Sequence, residues 1–322
     1  MLRFLKWLVV IVGSIAVIAL VAANGYSLYA KRELRRANSA PGEIVSLDTH
    51  DAHVFCQGQG SPAVFLISGM AGSYSYWSEV QQGIQSLTRV CSYDYAGLGW
   101  STERSSIADV QDHADDLKRI IDATLGDEPH IIVGHSLGGV VGWVYAQKNR
   151  EKIRGVVTLD TIPGAPHEYF GQEWFDSTNG QIKLIRTVSR LGLDAVFLRL
   201  MTGESPSPAL LYLDKIPDHL EAINDPDLVE QMDSREHLGE IPVVVLEAGD
   251  QEAFDEQYSY LDEARLERLR DWWHEGQLRL ADLSDDGDYM LVETAGHNIA
   301  VEEPQLVVET INDAVRRVRA SQ

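Results

Sequence analysis

Gly134-His135-Ser136-Leu137-Gly138 is the segment whose residue types and spacing most directly suggest chemistry. A serine with one glycine two residues before it and another two residues after it is typical of a sharp strand-to-helix turn that exposes a nucleophilic hydroxyl. Residues 130–133 before it have strand character, and residues 140–149 after it predict a helix. We therefore predict that Ser136 is a nucleophile and that the Leu137 N–H, at the helix N-terminus, faces a developing oxyanion.

His297 is the candidate base for this serine. It lies in Ala295-Gly296-His297-Asn298, directly after the last predicted strand, residues 289–292. The chain order of nucleophile, acid and then histidine is satisfied because His297 follows every candidate acid. The alternative is a solvated loop histidine. Most other histidines have no comparable context, and His135 is expected to support the turn at Ser136.

Apolar strands and helical segments alternate along most of the chain. Runs such as residues 63–67 and 155–159 are continuous and apolar, whereas residues 107–125 have helical spacing. This alternation predicts a parallel sheet with helices on both faces. From 161 to 240 the strand signals stop and helical patterns predict a cap. We expect a core formed by residues 37–160 and 241–322, with the cap between them.

The charge of the chain is unevenly distributed. The 322 residues carry a net charge of -22, but residues 1–36 hold six Lys and Arg against one Glu. Residues 37–322 therefore hold 21 basic and 48 acidic residues, a formal charge of -27. So acidic a body is repelled by nucleic acid and by anionic lipid, and the composition excludes a nucleic-acid-binding function.

Residues 7–30 contain no charged side chain, and residues 7–23 are almost wholly apolar. Twenty-four such residues in a helix would reach roughly 36 Å, which is enough to cross a bilayer. We predict that residues 1–36 form a single-pass membrane anchor with a basic linker. A cleaved signal peptide ending near Val21-Ala22-Ala23, and hence a secreted body, is the alternative.

These segments together resemble the α/β-hydrolase superfamily, in particular its esterase-like and aminopeptidase-like members. The resemblance rests on residues 64–72 with Tyr76-Trp77, on residues 90–101, on Gly134 to Gly139, and on Ala295-Gly296-His297. It covers about residues 43–315 without most of the cap. It implies the α/β-hydrolase fold, with a mostly parallel eight-stranded sheet, helices on both faces and a helical cap. No metal or organic cofactor is implied.

The resemblance also suggests further site residues. The Met70 N–H is expected to be the second oxyanion donor, although Ser68-Gly69 stands where relatives usually have His-Gly. Two positions are possible for the acid that orients His297. One is Asp160, at the end of the strand after the nucleophile helix. The other is Asp250 or Glu252, at the end of the following strand, and both possibilities remain open.

The implied strand arrangement brings together the only two cysteines, Cys56 and Cys91, which would lie on neighbouring antiparallel strands. A disulfide between them favours a periplasmic or extracellular body. The basic residues that follow the apolar run favour a cytoplasmic body instead, because positive charge is retained on the cytoplasmic side.

The function expected from these features is serine hydrolysis of an ester, thioester or amide, with a carboxylic ester favoured and a small, apolar acyl substrate. One alternative uses the same site for acyl transfer or cofactor-free perhydrolysis. Another is a non-catalytic, membrane-tethered binding protein. Five aromatic residues are candidates to line an acyl pocket: Trp77, Trp100, Tyr169, Phe170 and Trp174. For Trp77 and Trp100, packing in the core is the favoured role.

Overall fold

The computed structural model describes residues 2–37, 40–106, 108–164, 167–202, 213 and 235–320. Its strands are β1 (Glu43–Ser46), β2 (Asp51–Gln57), β3 (Ala63–Ile67), β4 (Val90–Tyr93), β5 (His130–His135), β6 (Ile153–Leu159), β7 (Val243–Ala248) and β8 (Gly287–Val292). They form one sheet in the order β1-β2-β4-β3-β5-β6-β7-β8. β2 pairs antiparallel with both of its neighbours, and the other pairs are parallel.

The helices are α1 (Leu2–Ala37), α2 (Ser78–Ile84), α3 (Val110–Thr124), α4 (Leu137–Lys148), α5 (His167–Arg190), α6 (Asp194–Thr202), α7 (Gln251–Gln257), α8 (Glu263–Ala281), α9 (Ile299–Glu302) and α10 (Pro304–Ala320). A short 3-10 helix, Tyr74–Trp77, precedes α2. The fold is therefore the mostly parallel, eight-stranded α/β-hydrolase fold that the sequence predicted.

Two apolar layers cover the sheet. Phe65 and Ile67 of β3 belong to a core cluster that includes residues of α3 and α4. Val64 and Leu66 belong to a second cluster, with residues of α2 and α10. All five residues of β3 are buried, because neighbouring side chains along a strand point to opposite faces and both faces are covered. This double burial explains why the strand is continuously apolar.

The predicted cap falls partly outside the described residues. The described part contains α5 and α6, which are joined by a turn at Leu191–Leu193. α5 packs against α8, on the side of the molecule where the parallel strands end. The boundaries of the cap at 161 and 240, and of the two core segments, stay predictions.

The N-terminal helix α1 contains a stretch, Val10–Leu34, that is long and apolar enough to cross a membrane, with a mean hydropathy of 1.9. A signal sequence near an N-terminus meets the same criterion. Most of the side chains in this helix before Ala23 are exposed, including Trp7, Ile18 and Val21.

A disulfide joins Cys56 of β2 to Cys91 of β4, the two strands that the resemblance placed side by side. The two residues are direct partners in the antiparallel ladder between these strands. The bond therefore fastens the antiparallel strand β2 to the parallel part of the sheet.

Candidate active site

Ser136 occupies the turn between β5 and α4. Its φ of 52° and ψ of -122° lie in a region that non-glycine residues rarely adopt. The turn is tightly enclosed: a Cβ on Gly138 would lie 2.3 Å from Ile67 O, and one on Gly134 would lie 2.5 Å from Gly138 O. Only glycine fits at either position, because any larger side chain would collide with the backbone. The strained backbone holds Ser136 at the carboxyl edge of the sheet.

Asp160 and His297 form a contact at this same edge. Asp160 follows β6, and its Oδ2 lies 2.6 Å from His297 Nδ1. The Asp160 carboxylate is almost fully buried, whereas the His297 side chain is 25% exposed. Because Nδ1–H donates to the carboxylate, Nε2 of His297 is left as the proton acceptor.

His135 connects the turn at Ser136 to the loop that carries His297. Its ring stacks on Tyr76, with centroids 4.8 Å apart, and its Nε2 donates to His297 O at 2.7 Å. Burial lowers the pKa of His135 well below its usual range, so the ring is neutral at neutral pH. Among the described residues no hydrogen bond joins Ser136 Oγ to His297. Such bonds are often absent without substrate and form in the substrate complex.

The two predicted oxyanion donors lie on either side of Ser136. Leu137 is the first residue of α4, so its N–H has no acceptor within that helix. Met70 follows Gly69, where an added Cβ would lie 3.1 Å from Ser136 Cβ and 2.8 Å from His135 Nδ1. The loop after β3 therefore approaches the serine as closely as glycine permits, and it carries the Met70 N–H with it.

The other two candidate acids lie at the end of β7. Asp250 caps α7, since its Oδ1 accepts a hydrogen bond from Ala253 N at 3.1 Å. Glu252 is exposed in the first turn of that helix. The structure thus brings Asp160, and not Asp250 or Glu252, into contact with His297.

The aromatic candidates for the pocket separate into three groups. Trp77 is fully buried in the core cluster with Val80 and Ile84, so the core packing favoured for it is confirmed. Trp100 is half-buried, and its backbone N–H donates to Asp94. The side chains of Tyr169, Phe170 and Trp174 lie outside the described residues.

Sequence reasoning missed Trp273 of α8. Its Nε1–H donates to Asp160 Oδ1 at 2.8 Å, and the Ala248 N–H donates to the same oxygen at 3.2 Å. The Trp273 ring also meets His297 edge to face, with centroids 6.2 Å apart. A buried indole N–H requires an acceptor, so the pair Trp272-Trp273 on an amphipathic helix was the available signal.

The chain thus has an α/β sheet covered on both faces, with a serine in a strained strand-to-helix turn and a histidine–carboxylate pair at the same edge. Residues 62–181 match the family model of the alpha/beta hydrolase fold. The chain thus has the α/β-hydrolase fold, and rather more than a third of it is similar to that family's model.

Individual relatives are distant. A putative carbamate hydrolase, RutD of Azorhizobium caulinodans, is 27% identical over 110 residues, which are 34% of this chain and 41% of that protein. Since the matched part is about two fifths of RutD, it does not extend the activity of that protein to this chain. An esterase from Thermogutta terrifontis superposes with a TM-score of 0.60 at 18% identity, over 86% of this chain and 99% of its own.

A bacterial membrane phospholipase A superposes with a TM-score of 0.59 at 18% identity, over 99% of both chains. The alignment therefore extends over nearly the whole of this chain, beyond the 86% covered by the esterase. At this identity the likeness concerns the fold alone.

Proposed function

We propose that this protein is a serine hydrolase that cleaves a carboxylic ester, or a related thioester or amide, through an acyl-enzyme on Ser136. The observation that carries the proposal is the contact of His297 Nδ1 with the buried Asp160 carboxylate, at the sheet edge where Ser136 lies in its strained turn. Among the relatives, the names of the esterase and of the putative carbamate hydrolase agree with acyl chemistry.

In the proposed reaction, His297 Nε2 takes the proton of Ser136 Oγ as this oxygen attacks the substrate carbonyl carbon. The Met70 and Leu137 N–H groups stabilise the negative charge that develops on the carbonyl oxygen. His297 then gives its proton to the leaving group. Water, deprotonated by His297, attacks the acyl-enzyme and releases the acid together with free Ser136.

Asp160 is the acid that we assign to this reaction. Its carboxylate holds His297 in the tautomer with hydrogen on Nδ1 and stabilises the imidazolium that forms. Trp273 and Ala248 donate to the other carboxylate oxygen, so the carboxylate is fixed before substrate binds. We assign Asp250 a structural role as the cap of α7.

We further propose that α1 anchors the protein in a membrane and that the body faces an oxidising compartment, as the disulfide between Cys56 and Cys91 favours. The length and hydropathy of α1 support the anchor. The charge of -27 on residues 37–322 disfavours anionic substrates, so a neutral, apolar acyl group is the expected substrate.

Covalent labelling with a fluorophosphonate tests the site. We expect the full-length protein to be labelled at Ser136, with no labelling of S136A and a rate lower by about a hundredfold or more in H297A, because general-base catalysis contributes at least that factor. Mass spectrometry of the labelled peptide identifies the modified residue. A wild-type protein that folds and is not labelled would indicate a non-catalytic binding protein.

The acid is tested by two matched substitutions. D160N and D250N make the same change of carboxylate to amide, and asparagine caps a helix as well as aspartate does. We expect the rate of ester hydrolysis to fall by about a hundredfold or more in D160N, because the amide is a poorer acceptor than the carboxylate for the hydrogen on His297 Nδ1. The rate should stay near the wild-type value in D250N. The reverse result would move the acid to the end of β7. Product analysis with added alcohols or peroxide would reveal acyl transfer or perhydrolysis.

A further inference from the structure

The C-terminal part of α1 is docked on α6 through polar contacts as well as apolar ones. Ser27 Oγ accepts a hydrogen bond from Ala195 N at 3.2 Å, at the start of α6. Lys31 Nζ lies 3.1 Å from Asp194 Oδ2, and the Asp194 side chain is only 5% exposed. Ala30 packs against Ala195. These three contacts, two polar and one apolar, give α1 a defined position against α6.

The turn between α5 and α6 fits closely against the same helix. Gly192 has a φ of +65°, and a Cβ at this position would lie 1.9 Å from Asn24 Nδ2. The turn and α1 therefore approach as closely as glycine allows. The adjoining Leu191 leaves 44% of its surface exposed, and Arg190 is exposed as well.

The exposure of α1 changes at Ala23. Every described side chain from Lys6 to Ala22 is exposed. From Ala23 onward one face of the helix is covered, at positions three or four apart: Ala23, Asn24, Ser27, Ala30, Lys31 and Leu34. The bare apolar part of the helix thus ends where the α5–α6 turn begins to cover it.

This boundary coincides with the expected surface of a bilayer. Trp7 to Ala23 spans about 26 Å as a helix, close to the roughly 30 Å of a hydrocarbon core. Tyr26 and Tyr29, which follow, are 37% and 62% exposed. Exposed tyrosines are enriched at the membrane–water interface, so they mark the same level.

The direction of α6 fixes which part of the cap is nearest to this surface. Gly192, just before α6, lies against Asn24 of α1, and Ala195, at the start of α6, bonds to Ser27, which is further along α1. The two helices therefore run in the same direction. α6 therefore runs away from the apolar part of α1, and the turn before it is the end that faces the bilayer.

We propose that the α5–α6 turn, residues 190–193, lies in the headgroup layer of the bilayer that α1 spans. Leu191 contacts lipid, and the Arg190 guanidinium faces lipid phosphate. The proposal rests on the membrane anchoring proposed above and names a second contact with the same bilayer. Because α5 packs on α8, the helix that carries Trp273, the bilayer surface is connected through the cap to the residues around Asp160.

Single cysteines test this contact, since both native cysteines are in the disulfide. Leu191→Cys is labelled with bimane in the full-length protein, reconstituted in phosphatidylcholine nanodiscs that carry nitroxide on the headgroup or on the acyl chain. Val17→Cys reports the span. Arg316→Cys, on the exposed face of α10 near the strand beginnings, reports the opposite end of the body.

We expect headgroup nitroxide to quench most of the bimane fluorescence at Leu191→Cys, acyl-chain nitroxide to quench it at Val17→Cys, and neither to quench it at Arg316→Cys. Quenching at Val17→Cys without quenching at Leu191→Cys would overturn the proposed contact while the anchor stands. Absence of quenching at both would overturn the anchor as well, and the labelling of Ser136 is unaffected by either result.

Discussion

Ser136 and Asp160 share an unusual backbone. Both are non-glycine residues with positive φ, 52° and 41°, and each is the first residue after its strand. Such a conformation costs of order 1–3 kcal/mol at each residue, and it persists only where the surroundings enforce it. At Asp160 the enforcement is visible, because its N–H donates to Leu246 O at 2.7 Å and its carboxylate accepts from three groups. The strain directs both side chains beyond the edge of the sheet.

Replacing Trp273 by phenylalanine tests how far catalysis depends on the second oxygen of Asp160. W273F keeps most of the ring and removes the Nε1–H donor that lies 2.8 Å from Asp160 Oδ1. A hydrogen bond to a charged group contributes about 1.5–3 kcal/mol, so we expect kcat to fall about tenfold or more. KM should change little, because the indole acts through Asp160. Steady-state ester hydrolysis measures both.

Trp272→Phe is the control for this substitution. It makes the same chemical change one position earlier on α8 and leaves the bond from Trp273 to Asp160 in place. We expect W272F to retain kcat near the wild-type value. Equal losses in the two variants would mean that the aromatic packing of α8, and not the hydrogen bond to Asp160, supports activity.

At the level of elements, the pairing of β5 with β6 sets the position of the site. Gly134 and His135 of β5 pair with Thr158 and Leu159 of β6, so the two strands end at the same level. Ser136 and Asp160 therefore leave the sheet side by side. The loop after β8 brings His297 to them, and it is fixed by Gly296 N donating to Glu302 Oε2 at 2.7 Å.

Gly138→Ala should disrupt the turn at Ser136. The new Cβ would lie 2.3 Å from Ile67 O and 2.4 Å from Ser68 O, both backbone atoms that cannot rotate away. We expect a loss of stability of about 3 kcal/mol, which is the upper part of the range for overpacked sites. Thermal unfolding monitored by tryptophan fluorescence measures it. Gly155→Ala is the control, since its nearest atom would be Pro242 O at 3.6 Å. Similar melting of both variants would contradict this account.

The elements were largely predictable from the sequence, and the acid was not. The alternation of apolar strands with helical segments predicted the sheet, and the glycines around Ser136 predicted its turn. The choice between Asp160 and Asp250 depends on which strand end faces His297, and on the Trp273 indole that reaches Asp160 from α8, 113 residues away in the chain. Periodicity does not encode such long-range contacts.

For the whole molecule, stability should decrease as the pH falls below about 6.5. Burial lowers the pKa of His130, His50 and His135. Below pH 6.5 the unfolded chain binds protons at these residues more readily than the folded protein does, so protonation favours unfolding. The stability is complete above the unfolded pKa and declines below it, by at most about 1.4 kcal/mol per pH unit for each such histidine.

His130→Gln isolates one of these contributions. His130 lies at the start of β5, where its ring contacts Glu128 O and the Tyr145 hydroxyl, and so lies at the end of the strand away from Ser136. We expect the difference in unfolding free energy between wild type and H130Q to shrink as the pH falls from 6.5 to 5.5, by at most about 1 kcal/mol. Chemical denaturation at both pH values measures it. Parallel curves for the two proteins would contradict a neutral, buried His130.

The separation of Asp160 from His297, 137 residues along the chain, has a consequence for the order of events during synthesis. The apolar helix α1 leaves the ribosome before the turn at Ser136 and its acid. The base arrives last, on the order of ten seconds later at ordinary translation rates. On the proposed mechanism, a nascent chain already inserted in a bilayer is catalytically silent. Ser136 therefore has no base until β8 has joined the sheet and the loop that carries His297 has been made.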